Sequence, residues 1–191
     1  MNLHEVLRAV EDLRAADRPA AALTAAAKRL MKPRLAEALR GSWLGHPLHP
    51  LMITVPIGAW VCASALDARP GNEDAARRLT AIGLAAAPPA VVLGLADYAD
   101  LNRRQRRVGV VHAIANTAAL ACFTASYAAR KREAHIGGKV LSLLGLAAMG
   151  AGGALGGHLA YAQGAGVFRW QRPLAAAAPT GDRQFAGSAQ G

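Results

Sequence analysis

Charge is what this chain of 191 residues lacks. Only 18% of its residues are Asp, Glu, Lys or Arg, against about 25% in a soluble domain. Four stretches hold none at all: 41–66, 79–96, 108–129 and 140–168, together about half of the chain. Cysteine is also scarce. Cys62 and Cys122 are the only two, which excludes a disulfide scaffold and leaves both as small packing residues within apolar runs. A hydrophobic share of 53% excludes disorder as the overall state. No HExxH, Gly-rich phosphate loop or Ser-His-Asp order is present, so no catalytic residue is assigned and a stand-alone enzyme is the least favoured reading.

The charge-free runs set the fold class. A bilayer core about 30 Å thick needs about 20 helical residues to cross. Only helices and closed barrels satisfy their backbone in lipid, and the runs lack the alternation of barrel strands. The expectation is all-α: a four-helix transmembrane bundle over residues 41–168, with spans near 49–67, 79–97, 108–129 and 140–162. The competing reading, a soluble bundle of Ala-rich helices, would keep charged outer stripes. Trp43, Trp60, Tyr98, Tyr127, Tyr161 and Trp170 fall mostly near span ends, where aromatic anchors sit. Pro56 and Pro88-Pro89 remove backbone donors and are expected to bend the first and second spans.

Two segments flank the bundle. In residues 1–40 no apolar core of the secretory kind occurs. Leu3, Val6, Leu7, Val10 and Leu13 repeat at helical spacing and predict an amphipathic helix over 2–16. Asp17 and Pro19 fit the start of a second helix, whose end is basic through Lys28, Arg29, Lys32 and Arg34. This segment either lies on anionic headgroups or stands off as a solvated hairpin. Residues 169–191 read as a disordered tail.

The net charge of +10 does not require nucleic acid. Arg103, Arg104, Arg106 and Arg107, and Arg130, Lys131 and Arg132, read as loops flanking spans, as topology demands. Eleven basic residues lie beside the termini and the second loop, seven on the other side. The positive-inside rule then puts both termini in the cytoplasm, in a bacterial inner membrane.

Polar residues gather at one end of the bundle. Short-looped helices alternate direction, so His46, His49, Asp97, His112 and His158 all fall on one side. Small residues share their faces: Gly94, Leu93 and Ala90 behind Asp97; Ala115, Asn116 and Ala119 beyond His112; Ala154, Ala151, Gly150 and Ala147 behind His158. Small faces pack helix on helix, as do the Gly152/Gly156 and Gly153/Gly157 pairs, so these polar groups are expected to point inward. Ionisable groups within a membrane usually have a functional reason.

Three chemistries fit. His46, His49, His112 and His158 are candidate ligands of a haem b iron. With Asp97 as ligand or acceptor, the same residues suit zinc, copper or non-haem iron. They also suit a proton relay without cofactor. The plain alternatives are a headgroup-level helix start for His46 and His49, a polar stop for Asp97, and hydrogen bonds from His112 and His158 to Asn116 or Asp97. On those alternatives the protein is a non-enzymatic scaffold or small permease.

Gly45-His46-Pro47-Leu48-His49-Pro50 with Val55-Pro56-Ile57-Gly58, then Gly94-Leu95-Ala96-Asp97-Tyr98, Val111-His112-Ala113-Ile114-Ala115-Asn116 and Gly156-Gly157-His158-Leu159-Ala160-Tyr161, form a familiar set. Over about residues 41–167 the chain resembles the bacterial membrane family called domain of unknown function 2231. The resemblance implies a four-helix integral membrane protein. Some relatives continue into a Rieske iron–sulfur domain after the match to Gly164-Ala165-Gly166-Val167. This chain has no Cys after Cys122 and cannot carry that cluster. The resemblance therefore implies electron transfer with a separate iron–sulfur or other redox protein. Self-association into a homo-oligomer is a further expected partnership.

Overall fold

The computed structural model describes residues 2–167 and residue 169. The expected tail over 169–191 falls, apart from Arg169, outside the described residues. All regular structure among them is helical. Helices α1 (Leu3–Glu11), α2 (Asp17–Leu30) and α3 (Pro33–Arg40) precede a short α4 (Leu48–Met52) and then α5 (Thr54–Leu66), α6 (Glu73–Tyr98), α7 (Arg103–Lys131) and α8 (His135–Gly157).

Four helical stretches are long and apolar enough to cross a membrane: Leu48–Leu66, Glu73–Tyr98, Arg103–Lys131 and His135–Ala162. The last three begin five or six residues before their charge-free runs, because polar sequence continues the helix. Arg103–Arg107 and Arg130–Lys131 are helical turns of α7 rather than loop. Asn102 caps that helix by accepting from the Gln105 N–H, while Gln105 accepts from the Asn102 N–H. The first span is interrupted at Ile53, between α4 and α5. Pro56 has no N–H to offer the Met52 carbonyl, so the ladder is weakest there. Pro88 and Pro89, by contrast, lie within an unbroken α6.

The interior is built from small residues. Ala59, Ala63, Ala87, Ala90, Ala119 and Gly152 are buried, whereas Val55, Val61, Ile82, Val91, Ile114, Leu143 and Leu144 face outward. That arrangement suits lipid outside and close helix packing inside. Within the core Trp60 stacks on Phe123, with centroids 4.1 Å apart. Trp60 also donates to the Thr80 carbonyl at 3.3 Å and lies against Gly83. Trp60 is thus a buried mid-span residue and no interfacial anchor; only glycine at position 83 leaves room for an indole.

Helices α7 and α8 form the tightest seam. Gly138, Gly145, Gly152 and Gly156 face Arg130, Phe123, Asn116 and His112 in turn. The first three glycines, like their partners, are spaced by seven, the repeat that keeps one seam in contact along two helices. The inward stripe of α8 is therefore Gly138, Ser142, Gly145, Gly152 and Leu155. Ala147, Gly150 and Ala151, expected to face inward, are exposed instead. Gly152 and Gly156 pack as expected, while Gly153 and Gly157 meet open space.

The N-terminal helices pack across one end of the bundle. The expected single helix over 2–16 stops at Glu11, and a 3-10 turn (Arg14–Ala16) leads into α2. Ala16 and Ala20 bury against Val110. The Tyr98 hydroxyl lies 3.3 Å from the Ala20 carbonyl and 3.1 Å from that of Arg106. Arg107 donates to both Asp17 carboxylate oxygens, at 2.6 and 3.0 Å, and to the Glu11 carbonyl at 3.0 Å.

Candidate functional site

His46, His49, Asp97, His112 and His158 do share one end of the bundle, but not one pocket. Among the described residues no three His, Cys, Asp or Glu side chains are grouped closely enough to hold a metal ion. Each of the four inner groups has its own partner, and His46 is exposed.

His49 is set by the two prolines around it. Pro47 precedes α4 and Pro50 lies in its first turn, where backbone donors have no helical partner anyway. The ring crosses to α6 and its Nδ1 lies 2.9 Å from the Ala90 carbonyl. It rests on Gly94, where an added Cβ would come within 2.9 Å of Cε1. His112 repeats this arrangement between α7 and α8. Its Nδ1 is 2.8 Å from the Gly152 carbonyl, and Gly156 leaves room for the ring. A carbonyl only accepts, so both rings donate through Nδ1–H. In a neutral imidazole the lone pair is then on Nε2. Asn116, one turn beyond His112, donates its amide to the His112 carbonyl at 2.8 Å and lies 3.3 Å from both ring nitrogens. The interhelical hydrogen bond expected of His112 therefore goes to Gly152, while Asn116 lies beside the ring on the same helix.

His158 goes elsewhere. It begins a π-helical turn, His158–Ala162, at the end of α8, and its Nε2 lies 2.6 Å from Glu11 of α1. Neither Asn116 nor Asp97, the partners expected for it, is its neighbour in that bond. The reason is that α1 packs on α7 and delivers a carboxylate to the bundle end. Burial works to raise the Glu11 pKa, but hydrogen bonds from His158 and Gln163 outweigh it and leave the group below its ordinary value. Asp97 pairs with Arg169 at 3.0 Å. Arg40, from α3, donates to the Ala96 carbonyl at 3.0 Å and pairs with Asp100 at 2.9 Å.

Two groups of functional-looking residues carry no sequence motif. One is the Glu11, Asp17 and Arg107 set. The other lies at the opposite bundle end, where Arg130 is fully buried and grips Asp67 through two nitrogens at 2.8 and 2.5 Å. Ser126 and Ser142 complete this group, 2.9 Å apart and each 3.2 Å from an Arg130 nitrogen.

These features define a class: a four-span helical membrane protein in which half-buried His49 and His112 and buried His158 are fixed at one bundle end and whose N-terminal helices close over that end. The chain belongs to the family described as "Predicted membrane protein (DUF2231)", whose family model matches residues 45–169. No curated protein and no solved structure is significantly similar to it.

Proposed function

We propose that this protein is a membrane electron carrier that holds one haem b between His49 and His112. The observation that carries the reading is the shared orientation of these rings: each gives its Nδ1–H to a backbone carbonyl of another helix. That bond fixes the tautomer, steadies the ring and raises the basicity of Nε2, as it does for ligating histidines generally. Two neutral imidazoles from separate helices are a donor set suited to haem iron. The haem would supply a one-electron change between ferrous and ferric iron. The chain supplies orientation through Ala90 and Gly152 and close ring approach through Gly94 and Gly156, with the Asn116 amide beside the His112 ring. His46, Asp97 and His158 are left outside the ligand pair in this reading. A separate iron–sulfur or other redox protein exchanges the electron. Both termini face the cytoplasm of a bacterial inner membrane, by the basic-residue asymmetry.

A second reading has its own support. His158 and Asp97 already hold Glu11 and Arg169, as groups in a scaffold would. Absorption spectra of detergent-purified protein, expressed with haem supply, separate the two. The carrier reading predicts a Soret band with a reduced-minus-oxidised change, shifted or lost in both His49→Ala and His112→Ala and kept in His158→Gln. A colourless protein, or a spectrum indifferent to His49 and His112, leaves the scaffold.

A further inference from the structure

The first turns of α7 collect cations in an electrostatically adverse place. Arg103, Arg104 and Arg107 stand there, and no acidic residue lies in the first turn. A helix N-terminus carries partial positive charge and favours anions, so these guanidiniums repel it and one another. The connection between α1 and α2 adds Arg14 to the same place, with Asp12 beside it. These five residues line an open cleft of about 560 Å³.

The carboxylates nearby are already engaged. Asp17 is shared between Arg103 at 2.7 Å and Arg107 at 2.6 Å. Glu11 is held by His158. Arg14 and Arg104 are exposed, and neither has a carboxylate within ion-pair distance among the described residues. Four guanidiniums face Asp12, Asp17 and, beside Arg104, Glu11, which also holds His158, so the cleft keeps a positive excess. Span orientation calls for basic residues in this region, but it does not call for Arg14, from a different segment, to enter the same cleft. Depth narrows the ligand. Val108 opens the charge-free run, so Arg104 sits about 6 Å along the helix beyond it, at headgroup level.

We propose that this cleft binds the phosphate of an anionic phospholipid. Arg14 and Arg104 supply the uncompensated charge, while Asp17 holds Arg103 and Arg107 in position. Guanidinium forks match phosphate oxygens in pairs, and basic pockets beside membrane helices select anionic headgroups by this chemistry.

Soluble phosphate has the same chemistry, so the test has three arms. The full chain in neutral detergent is titrated with phosphatidylglycerol, phosphatidylcholine or inorganic phosphate while its unfolding temperature is followed. Phosphatidylglycerol is expected to raise that temperature saturably, and the other two are not. The double variant Arg14→Gln/Arg104→Gln breaks no ion pair and should unfold at the wild-type temperature without lipid. It should bind phosphatidylglycerol about tenfold more weakly or worse. Native mass spectrometry of the wild type should show phosphatidylglycerol retained in preference to phosphatidylcholine, a readout that needs no variant. An undiminished shift in the variant, an equal shift with phosphatidylcholine, or no lipid retention overturns the proposal. An equal, arginine-dependent shift with inorganic phosphate overturns the lipid assignment.

Discussion

Arg130 and Asp67 show how much a single pair decides in this protein. The Arg130 side chain has no exposure and that of Asp67 has 9%. Removing one partner of such a pair leaves a charge without compensation, a loss of about 3–5 kcal/mol. Asp67→Asn should therefore lower the unfolding temperature in detergent sharply. Arg130→Met combined with Asp67→Leu should recover much of that loss, because no lone charge remains; thermal scans of the three proteins check this. The pair was invisible beforehand. Its members are 63 residues apart, and a charge at the end of an apolar run looks the same whether it marks a boundary or crosses to another helix. His158 follows the same logic. Its place at the polar end was readable, but its partner Glu11 comes from a segment whose docking no spacing rule encodes. His49, His112 and Asn116 were more legible, because inward-facing polar residues inside spans have few places to go.

Among the elements, α8 gives the sharpest contrast. Gly152 lies against Asn116, and an added Cβ would come within 2.6 Å of its amide nitrogen, whereas Gly153 meets nothing. Gly152→Ala should loosen the α7–α8 seam and disturb His112, which is bonded to the Gly152 carbonyl. Gly153→Ala should be neutral or stabilising by up to about 1 kcal/mol, since alanine favours helix. Paired melting curves test both. The α1–α2 unit makes a pH prediction. Hydrogen bonds from Arg107 and then Arg103 hold Asp17 far below the usual carboxylate range. Glu11 is lowered as well. Groups with depressed folded pKa values stabilise above their unfolded pKa, about 4, and lose that contribution as pH falls through the folded values. Docking of α1 and α2 should persist at neutral pH and weaken only in acid below that range. Hydrogen exchange of residues 3–30 against pH should show protection falling there; protection unchanged in acid would contradict it.

At the scale of the whole molecule, the four-span bundle was the most legible feature. Missing charge over half a chain is a property of many residues at once, and lipid enforces helices on it. The second and third spans came out longer than their charge-free cores because helices continue into polar sequence, at α7 from the Asn102–Gln105 cap. The pairing of inward faces was harder, since an Ala- and Gly-rich helix has nearly the same small surface all round. α8 turned a different stripe inward for that reason. Low-temperature electron paramagnetic resonance of the oxidised, haem-supplied protein tests most directly whether His49 and His112 act together. A low-spin ferric signal from two imidazole ligands is expected, converted to high spin in His49→Gly and restored by added imidazole. Absence of any haem signal, or a low-spin signal unchanged in His49→Gly and His112→Gly, would contradict it.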